Sequence, residues 1–240
     1  MAGSSFQVMR STTGSSRQLK QRVHQSLAAP DWESRWQEFA ALDPQKLVGP
    51  LFSALCFLNQ TVKWHAVTWF GLCVPQISQQ RTEAARIVMR RFLWSLNDES
   101  GGIGWGAPEA MGEIMACEST LAAEYHSLLL SYIQDRQGPD NYLEHLPLRE
   151  GAYWGIARLA QSRPDLVQPS SDLLISAADN EDSLTCRVLA SLSLAQLPAS
   201  LLKIRPGSDA DQELTIYWNR RFQTLNLNQL VQGAFNSAPQ

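Results

Sequence analysis

Apolar residues recur every three to four positions along most of this chain, which is the periodicity of an α-helix. Four segments show this pattern clearly: Trp32–Leu42, Thr82–Leu96, Leu121–Gln134 and Ser171–Ala178. Asp31 stands where it would cap the first of these helices, and Trp32, Trp36 and Phe39 would share one of its faces. The pattern therefore predicts a mainly helical protein.

A second regularity is a motif that recurs at intervals of about 40 residues, a spacing typical of stacked helix pairs. Its four copies each end in a small residue that follows an apolar one: Lys63–Gly71, Gly104–Gly112, Arg149–Ala157 and Thr185–Ser193. Small residues at equivalent positions would let neighbouring helices approach closely. The recurrence predicts a repeat architecture rather than an unrelated set of helices.

The copy at Val62–Gly71 resembles the HEAT-like repeats of the phycobilisome-lyase type, and Arg187–Ser193 resembles them more distantly. The chain also resembles an uncharacterised bacterial family with such repeats. This resemblance covers residues 43–198 and implies an all-α fold of about four helix pairs, an α-α superhelix of the HEAT/ARM-like, right-handed solenoid kind. It implies little about function, because a fold of this kind supports many activities.

The C-terminal part departs from the helical pattern. Glu213–Trp218 alternates between polar and apolar residues, Asn219–Arg220 suits a turn, and Arg221–Leu225 would return as a second strand. A lone hairpin is only marginally stable, so it must pack on the last helices. Together with a closing helix over Leu227–Phe235, it would cap the solenoid.

These elements divide the chain into three segments. We expect a disordered tail over residues 1–17, a helical repeat domain over 18–204, and a cap over 205–240 that packs on the same domain. The apolar runs are too short for a membrane span. A net charge of −3 gives no reason to expect nucleic acid as a partner.

The four cysteines are far apart and stand in apolar helical surroundings: Cys56, Cys73, Cys117 and Cys186. We expect buried free thiols and, with them, a reducing compartment. The sequence therefore predicts a cytoplasmic location.

A glycine-rich stretch, Trp94–Glu113, is the least repetitive part of the repeat region. One interpretation is purely structural: Gly101 and Gly102 would end one helix, and Pro108 would open the next. The other is functional, because a helix N-terminus with bare glycine backbone beside Trp105 suits an anion or a peptide.

Glu109 and Glu113 are four residues apart and therefore share a helical face. In HEAT-like proteins the second helix of each pair lines the concave surface. Two interpretations follow: a Glu113–Arg158 ion pair between adjacent helices, or a polar binding site on that surface. The candidate binding residues are Trp64, His65, Asp98, Trp105, Glu109, Glu113, Trp154 and Arg158.

Motifs that would indicate catalysis or a metal are missing from the sequence. HExxH is absent and the four histidines are scattered, so we expect neither a metal site nor a cofactor. Trp94 and Asp98, four apart, resemble the aromatic and aspartate of HEAT-like DNA glycosylases. Such enzymes need a basic track for phosphates, and the predicted inner helices mix arginines with glutamates.

These observations favour a non-catalytic scaffold that binds a protein or peptide partner on the concave face of a HEAT-like superhelix. The alternative is a HEAT-like enzyme that acts on DNA bases, on a small molecule or on a bilin. The repeat pattern without a catalytic motif is the observation that separates them.

Overall fold

The protein is mostly helical, with one two-stranded antiparallel sheet near its C-terminal end. The computed structural model describes residues 16–97, 104–135, 141–198 and 211–231. Its α-helices are α1 (Ser16–Ala28), α2 (Trp32–Arg35), α3 (Gln45–Leu55), α4 (Gln60–Gln80), α5 (Thr82–Leu96), α6 (Ala107–Cys117), α7 (Ser119–Ser131), α8 (Leu146–Ser162), α9 (Pro164–Val167), α10 (Ser171–Asn180), α11 (Leu184–Ala195) and α12 (Leu227–Val231).

The four copies of the repeat motif fall on α4, α6, α8 and α11, and these helices pack on one another in that order. Their partners are α5, α7 and α10, which correspond to the three predicted partner helices. Segment Thr82–Leu96 has the predicted bounds, whereas α7 begins and ends earlier than predicted and α10 ends two residues later. The predicted pairing of helices along the chain is confirmed at this coarse level.

Helices α6 and α8 approach so closely that their backbones touch. A Cβ atom built on Gly112 would lie 2.3 Å from the Cα of Gly155, and one built on Gly155 would lie 2.7 Å from the carbonyl oxygen of Pro108. No side chain fits at either position without moving a backbone. The role predicted for the small residue Gly112, close approach of neighbouring helices, is therefore confirmed.

The predicted helix over Trp32–Leu42 is wrong in its length. The α-helical part ends at Arg35, and a 3-10 turn follows over Trp36–Glu38. Asp31 does not cap it, because its carboxylate Oδ1 accepts from the Arg35 Nε at 2.7 Å. The 3-10 turn brings residues i and i+3 into line, so Trp36 and Phe39 both reach the Trp69 ring.

His65 links α4 to the N-terminal helices. Its ring stacks on Trp32 with a centroid distance of 3.8 Å, and its Nδ1 lies 2.7 Å from the carbonyl oxygen of Leu27. Burial lowers the pKa of His65, because the charged imidazolium loses hydration there. The imidazole is therefore held in its neutral form at neutral pH.

The predicted hairpin is confirmed. Strand β1 (Leu214–Trp218) pairs with β2 (Arg221–Leu225). Trp218 lies opposite Arg221 beside the turn, and Leu214 lies opposite Leu225 at the other end of the hairpin. The two turn residues, Asn219 and Arg220, have φ angles of 48° and 64°. Positive φ at both central residues is the geometry that matches the twist of a two-residue hairpin.

The hairpin packs on α4 and α8. Its Tyr217 carbonyl oxygen accepts a hydrogen bond from the indole Nε1 of Trp154, and its phenol oxygen lies 3.2 Å from the Thr68 hydroxyl. The buried Trp218 extends this contact. The hairpin is thus in direct contact with the repeat helices.

Some predictions need correction or lie outside the described residues. All four cysteines were expected to be buried, and Cys73 and Cys186 are. Cys56 and Cys117 are exposed, because they lie at the C-terminal ends of α3 and α6. Residues 1–15, which hold most of the predicted tail, are outside the described part, as are Gly101, Gly102 and 232–240. No described helix is both long and apolar enough to cross a membrane.

We expect Gly112→Ala to destabilise the fold by roughly 1–3 kcal/mol, because the added methyl group must push α6 away from α8. Gly49→Ala is the matched control: Gly49 is exposed within α3 and has nothing within 4 Å of an added Cβ. It should stabilise the protein by about 0.5–1 kcal/mol. Urea unfolding of the two variants decides the matter, and equal midpoints would contradict the close packing.

Stability should fall on acidification, partly through His65. Because its folded pKa lies below the unfolded value of about 6.5, the unfolded chain takes up protons first as the pH drops below that value. The stabilisation is therefore complete above about pH 6.5 and is lost as the pH falls toward the folded pKa. His65→Gln should show a smaller drop in melting temperature between about pH 7 and pH 5 than the unmodified chain.

Candidate functional site

A cavity of about 490 Å³ lies between the repeat helices and the C-terminal hairpin. Its walls come from α4, α6, α8 and α11, from β1 and β2, and from the connection between α3 and α4. Its volume is within the range usual for ligand-binding sites. The residues that line it include Phe57, Leu58, Lys63, Trp64, Trp105, Glu109, Glu150, Gly151, Trp154, Tyr217 and Phe222.

A buried ion pair lies in the wall of this cavity. The Lys63 Nζ on α4 donates to the Glu109 Oε1 on α6 at 2.7 Å, and the two side chains are only 14% and 4% exposed. The pair therefore joins α4 and α6, the helices that carry consecutive copies of the repeat motif. A pair this buried depends on both members, since either one alone would be an uncompensated charge.

The second oxygen of Glu109 has no hydrogen-bond partner. This Oε2 atom is buried, and it faces Gly151 so closely that a Cβ built there would lie 2.5 Å away. Glycine at 151 therefore makes room for the carboxylate. The Lys63 charge is shared with only one of the two oxygens, so the carboxylate keeps unused acceptor capacity beside the cavity.

Six of the residues that line the cavity are aromatic. Trp64 stacks on Tyr217 with a centroid distance of 5.1 Å and tilts against Trp154 at 4.7 Å. Trp105 stands at the opening and meets the edge of His145. The cavity thus combines rings from α4, from α8, from the hairpin and from Trp105, which lies two residues before α6.

A second ion pair lies further along α6 and joins this helix to α8. The Arg158 Nε donates to the Glu113 Oε2 at 2.7 Å, and a smaller cavity of about 90 Å³ adjoins it. Gly71 gives the Glu113 side chain its space, since a Cβ there would lie 2.7 Å from the Glu113 Cγ. Of the two interpretations drawn from the sequence, the interhelical Glu113–Arg158 pair is therefore present.

The structure divides the predicted binding residues into separate groups. The cavity brings together Trp64, Trp105, Glu109 and Trp154. Glu113 and Arg158 form the neighbouring pair. His65 is buried against Leu27 and Trp32 and does not line the cavity. Asp98 lies outside the described residues.

Both glutamates are more enclosed than the resemblance to HEAT-like repeats implies. That resemblance implies a position on the concave surface, but Glu109 and Glu113 are 3% and 7% exposed, between neighbouring helices. The cause is the close packing of α6, in which residues 107–116 are all buried.

Three of the four cysteine thiols, those of Cys73, Cys117 and Cys186, are poor nucleophiles. Cys117 is exposed as a residue, but its sulfur lies against Glu113 and Arg158. The partial loss of hydration there and the Glu113 carboxylate raise the pKa of this thiol to about 11, and burial raises the pKa of Cys73 and Cys186 to about 12. These thiols are protonated at neutral pH, whereas a nucleophilic cysteine must be a thiolate. Among the described residues, no three His, Cys, Asp or Glu side chains are grouped to hold a metal ion.

Sequence reasoning missed Lys63 and the hairpin residues as parts of the site. Lys63 stands within the repeat motif, but its partner Glu109 comes from the next copy, and a single sequence does not reveal such pairs. The hairpin did carry a signal: Ile216, Tyr217 and Trp218 are three large residues in a row. Consecutive large residues in a strand indicate that both of its faces are covered.

Lys63→Met should destabilise the fold by about 3–5 kcal/mol, because it leaves the buried Glu109 carboxylate without a counter-charge. The double variant Lys63→Met/Glu109→Met should recover much of this loss, since it removes both charges. Lys46→Met, at an exposed position of α3, is the control and should change little. Additive effects of the two single substitutions in urea unfolding would show that the pair is not coupled.

No known protein family and no curated protein matches this chain. The resemblance to HEAT-like repeats therefore stays a prediction that rests on the sequence motif. A function for the chain has to be argued from the cavity and its surroundings.

Proposed function

We propose that this chain is a HEAT-like binding scaffold, an α-α superhelix that takes up a protein or peptide partner at the aromatic cavity. The observation that carries the proposal is the position of the cavity: it opens among exposed apolar side chains. The helix order α4, α6, α8, α11, with their partner helices, supports the superhelical part of the proposal.

The opening is unusually apolar for a protein surface. Four of the large hydrophobic side chains that the chain exposes line this one cavity: Phe57, Leu58, Trp105 and Phe222. Grouped apolar side chains around a recess mark binding sites, whereas scattered ones need no explanation. Burial of these side chains by a partner would supply binding free energy.

The rim favours a partner chain over a small molecule alone. Leu58 is 97% exposed at the edge of the cavity, so a ligand that only fills the interior would leave it in water. A peptide that inserts one side chain and lays its backbone across the rim would fill the interior of the cavity and also cover Leu58. Large aromatic residues such as Trp105 are the type of side chain that dominates such contacts.

The rival function, an enzyme acting on DNA bases or a small molecule, has less support. Arg158 is paired with Glu113, and Arg149 lies 3.5 Å from Glu181, so both cations are engaged within the chain. Phosphate binding needs basic side chains that are available to the ligand. The free cysteines agree with a reducing compartment, which supports the proposed cytoplasmic location.

The test is capture of partners from native extract by the full chain and its variants. We expect Leu58→Asp and Trp105→Ala to lose the partners that the unmodified chain holds, because these residues form the rim. Ile87→Asp and Trp94→Ala are the matched controls, since both side chains are exposed but neither lines the cavity. Quantitative mass spectrometry compares the captured proteins.

The proposal fails if the rim variants keep every partner while they remain folded by circular dichroism. Salt-dependent binding of duplex DNA by the unmodified chain would instead favour the enzymatic rival.

A further inference from the structure

We infer that the group received by the cavity is a cation, an ammonium of the lysine type presented by the partner. This inference rests on the proposed function and specifies what the cavity recognises. Three features of the wall lead to it: its charge balance, its free carboxylate capacity and its aromatic rings.

The charge balance of the wall is negative. Lys63 and Glu109 neutralise one another at 2.7 Å, which leaves the charge of Glu150. The Glu150 Oε1 accepts from the neutral hydroxyl of Ser183 at 2.9 Å, and no basic side chain among the described residues forms an ion pair with it. A positive group entering the cavity would therefore find an uncompensated carboxylate, and a negative one would be repelled.

Glu109 and Lys63 together carry no net charge, so the pair acts on the cavity only as a dipole. The Glu109 Oε2 is buried without a hydrogen-bond partner, so no donor reduces the negative end of this dipole. Charges act more strongly in a wall that excludes water than at an exposed surface. The effect on a ligand is through the field, because this oxygen is buried against Gly151.

The rings of the cavity are suited to the same charge. Trp64, Trp105, Trp154 and Tyr217 line it, and tryptophan faces attract cations more strongly than other rings do. The chain already contains one such contact here, since the Lys63 Nζ lies 5.4 Å from the centroid of Trp64. A neutral alkyl group would gain only the apolar contact with these rings.

The experiment uses the full chain with its tryptophan indoles labelled with nitrogen-15, so that each indole N–H reports on its surroundings. The probes are choline, its uncharged isostere in which carbon replaces the nitrogen, and the tert-butylacetate anion. We expect choline to shift the indole signals assigned to Trp64, Trp105 and Trp154 with an affinity about tenfold above that of the isostere. The anion should bind most weakly.

Glu150→Gln should weaken choline and leave the neutral isostere unchanged, whereas Glu144→Gln, an exposed acid outside the cavity, should alter neither. Acetylated pentapeptides with a central lysine, trimethyllysine, norleucine or glutamate identify the source of the ammonium. A lysine-type peptide that binds more tightly than choline, and loses that advantage in Leu58→Asp, supports a partner side chain that uses the rim.

The outcomes separate the two proposals. If the isostere or norleucine peptide binds as tightly as its cationic counterpart, the inference is overturned while the cavity remains a binding site. If choline binds but no peptide gains from the rim, the ammonium belongs to a small molecule and the partner side chain is excluded. If none of the probes shifts the three indoles, the inference is also overturned, and the capture experiment alone judges the proposed function.

Discussion

The contact between Gly112 and Gly155 is the constraint on which the rest of the site depends. Because the backbones of α6 and α8 touch there, the side chains of α6 are buried between the neighbouring helices rather than exposed to solvent. Glu109, three residues before Gly112, and Glu113, the residue after it, are therefore held in the helix interfaces. Each finds one basic partner, Lys63 on α4 and Arg158 on α8.

The two ion pairs connect α4 to α6 and α6 to α8. Buried pairs of this kind add little net stability compared with apolar residues of the same size, because both charges lose their hydration. They do fix which helix lies beside which, since a shift of α6 by one turn would leave charges unpaired. The glycines at 71 and 151 serve the same arrangement, because each makes space for one carboxylate.

Much of the fold followed from local pattern. The bounds of α5, the hairpin register and its turn at Asn219–Arg220 were predictable because helical period, strand alternation and a polar turn are local signals. The short α2 was not, since tertiary contact of Trp36 and Phe39 with Trp69 decides its geometry.

For the site, the sequence identified four of the cavity residues through their place in the repeats, Trp64, Trp105, Glu109 and Trp154. It did not reveal that Lys63 pairs with Glu109 or that Tyr217 covers Trp64, because both contacts join residues far apart in the chain. The burial of the two glutamates was likewise hidden, since it results from the close approach of α6 and α8.

The hairpin also determines when the cavity comes into existence. Tyr217 and Trp218 are synthesised after all the repeat helices, and they cover the rings of Trp64 and Trp154. On the ribosome the growing chain therefore carries an uncovered aromatic surface until its last strands emerge, and such surfaces attract other chains. Arg220 in the hairpin turn lies 3.2 Å from Glu33, so an exposed ion pair links the hairpin to α2. A shortened product that lacks this segment would lose the wall of the cavity that Tyr217 and Phe222 form.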